Sequence, residues 1–118
     1  MPAINFKKCF SILVETGKKC QTIRPLRKQP IKVGDTLYLY TGLRTKQCKK
    51  LGEAICSEIH SIKISNMGII LDGVYIDHED AYSLATLDGF LGYRRVIDFV
   101  DFFSKQYGLP FSGVVIRW

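Results

Sequence analysis

The sequence predicts an α+β domain, a small and mostly antiparallel β-barrel with about three helices packed on its ends. Three observations lead there. Helical and strand patterns follow the order α, several β, α, α, β. Short strand patterns outnumber helical ones. The strand patterns also lie too close together for βαβ crossovers, so neighbours must pair antiparallel. The 118 residues suffice for one buried core, and no repeat, low-complexity tract or linker divides them. Residues 1–118 therefore read as a single domain.

The first helix is read from Phe6, Cys9, Phe10, Leu13 and Val14, whose spacing of i, i+3, i+4, i+7 and i+8 makes one apolar stripe. Gly17 follows where a left-handed cap residue is wanted. The stretch CQTIR is a short strand stopped by Pro25, and residues 25–35, with two prolines and a Gly-Asp turn, form a loop. TLYLYTG alternates Leu37 and Leu39 against Tyr38 and Tyr40, a strand with its leucines inward. LRTKQCKK is a basic loop. LGEAICSEIHSIKI reads as one long strand with Gly52 at a bulge or close approach. Asp72-Gly73 marks a hairpin or a strand break. A helix over about 78–87 takes Asp77 as N-cap. Another over about 94–107 carries Val96, Val100, Phe103 and Tyr107 in a stripe beside Phe99, and stops at Gly108. FSGVVIRW is a terminal strand that pairs within the sheet.

No apolar run approaches the 18 residues of a membrane span, and the N-terminal residues lack the layout of a signal peptide, so the reading is a cytoplasmic protein with no membrane partner. Cys9, Cys20, Cys48 and Cys56 contain no CxxC pair and read as free, buried or half-buried thiols rather than as zinc ligands or disulfides. The acids of DHED, residues 77–80, suit a helix start, where the dipole stabilises them without a metal. P-loop, GxGxxG and HExxH patterns are absent, and neither cofactor nor metal is expected. The net charge of +6 is unevenly spread. Residues 1–50 hold 12 Lys/Arg against 2 Asp/Glu, and residues 51–118 hold 5 against 9. One basic side would attract phosphate-bearing partners.

The stretch GKKCQTIR, residues 17–24, is similar to the G-x-K-x-x-T-x-R signature of ASCH domains, members of the PUA-like superfamily. The remaining features agree in order: the VGDTLYLYTG strand after a proline-bearing loop, the LGEA strand start, the DGF element after a helix, and the aromatic-rich ending YGLPFSGVVIRW. The resemblance covers nearly the whole chain. It implies a PUA-like barrel with a cleft beside the first helix, and a link to RNA binding. One small bacterial branch of the family hydrolyses the amide of N4-acetylcytidine. There the signature Lys and Thr act with an acidic residue from the later helical region. Carried over by position, these are Lys19 and Thr22, with Arg24 as the signature Arg and Asp88 as the acid. That branch has Glu at this last position, so the side chain here is shorter, and its members are shorter chains.

The chemistry of these residue types sets conditions of its own. A threonine hydroxyl is a weak nucleophile that needs a base, and lysine serves as one only when burial or a second cation lowers its pKa. Lys18 and Arg24 are the nearby cations. Near a helix end a lysine is ordinarily a solvated cation held by the macrodipole. Residues three apart on a strand point to opposite faces, so joint action by Lys19 and Thr22 requires a turn at Cys20 and Gln21. Asp88 reads either as a turn residue or as a carboxylate that orients the lysine. Arg24 is a candidate fork for phosphate or carboxylate, Arg44 and Lys46 are candidates at a cleft mouth, and Tyr38 and Tyr40 are candidate stacking platforms. Three functions are compatible with this set. One is binding of RNA or a nucleotide or nucleoside in a basic cleft. A second is amide hydrolysis on a cytidine-like nucleoside. A third is protein interaction without catalysis.

Overall fold

The computed structural model describes residues 2–118, which form an α+β fold of three helices and eight strands. The order is β1 Ala3–Phe6, α1 Lys8–Glu15, β2 Gln21–Arg24, β3 Thr36–Thr41, β4 Lys49–Ile55, β5 Glu58–Ser65, β6 Gly68–Leu71, β7 Val74–Tyr75, α2 His78–Leu87, α3 Arg95–Tyr107 and β8 Phe111–Arg117. The strands make two sheets, β1-β3-β4 and β2-β8-β5-β6-β7, rather than one closed barrel. All pairings are antiparallel except β1 with β3.

The larger sheet is the middle layer. Its residues alternate between two apolar clusters, as a strand period of two requires. Ile23, Ile62, Ile64 and Val115 face α2 and α3, together with Leu84, Phe99 and Phe103. Ile116 and Ile59 face the other way, against Ile4, Phe6, Leu37 and Leu39 of the smaller sheet. A chain of ring contacts, Phe10–Phe90, Phe90–Phe99, Phe99–Phe103 and Phe103–Phe111, ties α1, the α2–α3 connection, α3 and β8 together. Such pairs add about 0.5–1.5 kcal/mol each beyond area burial.

Several elements form where the sequence puts them. Asp77 Oδ1 accepts from Asp80 N at 2.8 Å and caps α2, and Gly108 ends α3. Asp72 and Gly73 take φ of 50° and 83° and turn the β6–β7 hairpin. Four readings are corrected. Phe6 lies on β1, not on α1: Ile4 and Phe6 are buried around exposed Asn5, and a four-residue strand abutting a helix mimics helical spacing. LGEAICSEIHSIKI is two strands in different sheets, broken at Cys56-Ser57, and the bulge beside Gly52 leaves Leu51 unpaired opposite Leu39 and Tyr40. A parallel crossover does occur, because β1 reaches β3 through α1 and β2. Cys9 and Cys48 are exposed, whereas Cys56 is buried, and burial raises its thiol pKa.

Two arginines bridge the gap between the sheets. Tyr38 N of β3 donates to Pro2 O, so the alternate carbonyls of Ala3 and Asn5 point away from β3. Arg27 Nη2 donates to Ala3 O at 2.6 Å and Arg24 Nη2 to Asn5 O at 2.5 Å. The outer edge of β1 is thus covered by guanidinium groups instead of a strand. Close approach of β2 to β8 depends on Gly113, where a Cβ would lie 2.3 Å from Arg24 O and 2.8 Å from Phe111 Cζ.

Candidate functional site

A cavity of about 160 Å³ opens where β1, α1, β2, the end of α2 and α3 converge. Its polar lining includes Lys19, Thr22, Arg24 and Asp88, and its apolar lining includes Phe6, Phe10, Phe102 and Phe103. Three of the polar four are buried: Lys19 is 3 % exposed, Thr22 4 % and Asp88 5 %. Lys19 is therefore not the solvated cation that a lysine near a helix end would ordinarily be.

The local chain explains how Lys19 gets inside. After α1 the backbone turns at Gly17, and Lys19 N donates to Leu13 O at 2.8 Å, folding the segment back across the last helical turn. The turn expected at Cys20 and Gln21 is absent, since Gln21 already lies on β2; the chain turns earlier, at residues 16–18, and Lys19 points with Gln21 toward Asp88. Its aliphatic stem passes Gly89, which has φ +100° and where a Cβ would meet Phe10 Cδ1 at 3.0 Å and Lys19 Cδ at 3.3 Å. Here glycine is required twice, by conformation and by space. The Nζ lies 5.0 Å from the Phe10 ring centroid and 5.9 Å from that of Phe6, within cation–π range.

Asp88 is the C-cap of α2. Lys19 Nζ donates to its carbonyl at 2.5 Å and lies 3.3 Å from Oδ1. Gln21 Nε2 donates to Oδ1 at 3.2 Å and to Leu84 O at 3.3 Å. Segment 19–21 thereby caps the carbonyl end of α2 with side-chain donors, one of them a cation matched to the negative end of the dipole. The Asp88 carboxylate itself stands at the unfavourable end. Burial is the largest influence on both ionisable groups. It pushes Lys19 below the ordinary lysine range against the attraction of Asp88, with Arg24 pushing further down. It pushes Asp88 up against Lys19 and Gln21. Both shifts run toward the neutral forms, as burial of a charged group in a dry site requires.

Thr22 and Arg24 share a face of β2. Arg24 Nε donates to Thr22 Oγ1 at 2.9 Å, and the guanidinium stacks over Phe6 at 5.2 Å. A hydroxyl that accepts from a cation is made more acidic, because the donor favours its alkoxide. Among the described residues no hydrogen bond joins Lys19 to Thr22; they meet as walls of one cavity.

The other candidates lie elsewhere. Tyr38 lines a second, open cleft of about 870 Å³ with Arg27, Lys28 and Pro30, under Lys50 Nζ at 5.5 Å from its ring. Tyr40 is half-buried on β3 and lines neither space. Arg44, with φ 68°, and Lys46 are exposed in the loop before β4. That loop is tied to the cavity rim, since Leu43 N donates to Asn5 Oδ1 at 2.8 Å and Asn5 lines the cavity.

Sequence reasoning did not single out Gln21, Arg117, Gln106 or the phenylalanines of the lining. Gln21 had a signal: it shares parity with core residue Ile23, so a polar side chain was directed into an apolar layer. Arg117 had none, because its link to Gln21 depends on strand register. No group of three or more His, Cys, Asp or Glu suited to a metal occurs among the described residues. None of their helices is long and apolar enough to cross a membrane. Comparison of the chain with family models, curated proteins and solved structures finds no match.

Proposed function

We infer that this is an ASCH-type, PUA-like domain whose cavity hydrolyses an amide on a cytidine-like nucleoside. The observation that carries the reading is the burial of Lys19 and Asp88 as a pair in one cavity with the Thr22 hydroxyl. The resemblance to the family signature runs through the same residues. The size of the cavity supports it as well, since spaces of about 150 Å³ take up a single ring such as benzene. The acylated amino group and the ring edge that bears it enter, and the sugar stays outside.

In this reading Lys19 acts as the base once it has lost its proton, and the Asp88 carboxylate orients it. Thr22 Oγ adds to the amide carbonyl carbon as its hydrogen passes to the amine. Arg24 steadies the negative oxygen that develops. The proton then goes to the departing nitrogen, the C–N bond breaks, and water hydrolyses the threonyl ester to restore Thr22 and release the acid. The test is conversion of N4-acetylcytidine to cytidine and acetate, with Lys19→Ala and Thr22→Ala alongside. Conversion by the wild type alone supports the reading; no conversion, or equal conversion by Lys19→Ala, rejects it.

A second reading has its own observation. The open cleft bearing Arg27, Lys28 and Tyr38, on the basic half of the sequence, suits a phosphate-bearing RNA or nucleotide. Binding of single-stranded RNA that weakens steeply with added salt supports it, and absence of binding at low salt rejects it.

A further inference from the structure

The Lys19–Asp88 pair is the end of a longer polar row. Gln21, Arg117 and Glu58 are direct cross-strand partners on β2, β8 and β5. Their side chains share the sheet face that lower down carries Ile23, Val115 and Ile62. Arg117 Nε donates to Gln21 Oε1 at 3.0 Å, and Arg117 Nη1 lies 3.8 Å from Glu58 Oε1. His60, two residues along β5, places Nε2 at 3.1 Å from Glu58 Oε1 and Nδ1 at 2.6 Å from Asp72 Oδ2.

Within this row the orientation of Gln21 is forced. Gln21 is 1 % exposed, and an amide buried that deeply must match each partner with the correct end. Arginine only donates, so the end facing Arg117 has to be Oε1. The NH₂ end is thereby turned to Leu84 O and Asp88 Oδ1, both acceptors. A flipped amide would set oxygen against two acceptors and NH₂ against a guanidinium. Glu58 faces Arg117 from its far side, His60 contacts Glu58, and Asp72 in turn holds His60.

We propose that Gln21 and Arg117 are positioning residues of the site. Arg117 locks the amide, and the amide keeps Asp88 Oδ1 an acceptor, so that a proton arriving on Asp88 sits on Oδ2 and Lys19 keeps a carboxylate oxygen as its partner. As positioning residues for the proposed hydrolysis they rest on that reading. Their effect on Lys19 exists without any substrate, however, and is measured separately. The charged or titratable groups that bear on Lys19 are Asp88, Arg24 and Cys9, and those that bear on the outer end of the row are Glu58, His60 and Asp72. None of these is altered in the variants of Gln21.

The experiment follows the Lys19 Cε resonance of substrate-free protein against pH, assigned by its loss in Lys19→Met. Gln21→Met removes the donor to Asp88 and is expected to shift the Lys19 midpoint downward, since the carboxylate that pairs with it is less well held. Gln21→Glu still accepts from Arg117 and sets either a proton or a negative charge against Asp88. It is expected to leave the midpoint at or above the wild-type value. A midpoint unchanged in Gln21→Met, or lowered equally in both variants, overturns the proposal. If Gln21→Met does not fold, a second measurement decides. The Gln21 side-chain amide protons exchange slowly in the wild type and in Arg117→Lys, which keeps a donor, and quickly in Arg117→Met. Equal exchange in all three overturns the role of Arg117. Failure of N4-acetylcytidine hydrolysis changes neither outcome.

Discussion

Lys19 and Asp88 form a buried pair whose charges each depend on the other. Removing one partner strands the other in a dry site, so Lys19→Met is expected to cost about 3–5 kcal/mol in urea unfolding. Replacing both, as Lys19→Met with Asp88→Leu, is expected to recover most of that loss. A cost near zero for the single variant would mean that water reaches the pair. At the far end of the polar row, His60 is raised chiefly by its hydrogen bond to Asp72 and further by Glu58, while Asp72 is lowered chiefly by His60. The stabilisation through His60 is fully present below its unfolded value of 6.5 and is lost as pH rises through the raised folded value. That through Asp72 is present above 3.8 and is lost as pH falls through the lowered folded value. Relative to His60→Gln, the urea midpoint of the wild type is therefore expected to fall modestly as pH rises from 6.5 through the raised His60 value. Identical slopes would refute the assignment.

Elements were legible in the sequence where one periodicity was unmixed. Asp77 capping α2, Phe103 in the apolar stripe of α3 with Phe99 beside it, the Asp72-Gly73 turn and the inward leucines of β3 all follow from local chemistry. Phe6 was misread because four residues of strand running into a helix satisfy both periods. The break at Cys56-Ser57 was missed because no glycine or proline marks it. Two substitutions probe how elements place the site. Phe103→Ala removes a fully buried ring shared by α3 and β8, and is expected to destabilise by about 3–5 kcal/mol. Gly113→Ala would set a methyl group against Arg24 O, so β2 must move off β8. Overpacking of this kind costs about 1–3 kcal/mol, and the same displacement draws Thr22 and Arg24 out of the cavity wall. Thermal melting and the Thr22 methyl resonance register the two effects separately.

Over the whole molecule, the α+β class was legible in the sequence, whereas the division of the strands between two sheets was not. Lys19, Thr22, Arg24 and Asp88 meet around one cavity although 69 residues separate the first from the last. The stretch 17–24 held the first three, and Asp88 came from the later DGF element. Burial of the lysine, the locked amide of Gln21 and the phenylalanine lining came only with the fold, because each depends on which sheet and register a strand adopts. Tyr38 lines the separate open cleft, whereas Arg44 and Lys46 are exposed in a loop tied to the cavity rim without lining the cavity. The proposed hydrolysis turns on Lys19 as a buried base in this cavity. The most direct measurement is the initial rate of N4-acetylcytidine hydrolysis against pH. The expected result is turnover that rises with pH on a limb below the ordinary lysine range, as Lys19 loses its proton, and a fall of about 100-fold or more in Lys19→Ala. Absence of turnover, or a Lys19→Ala profile that overlays the wild type, would contradict it.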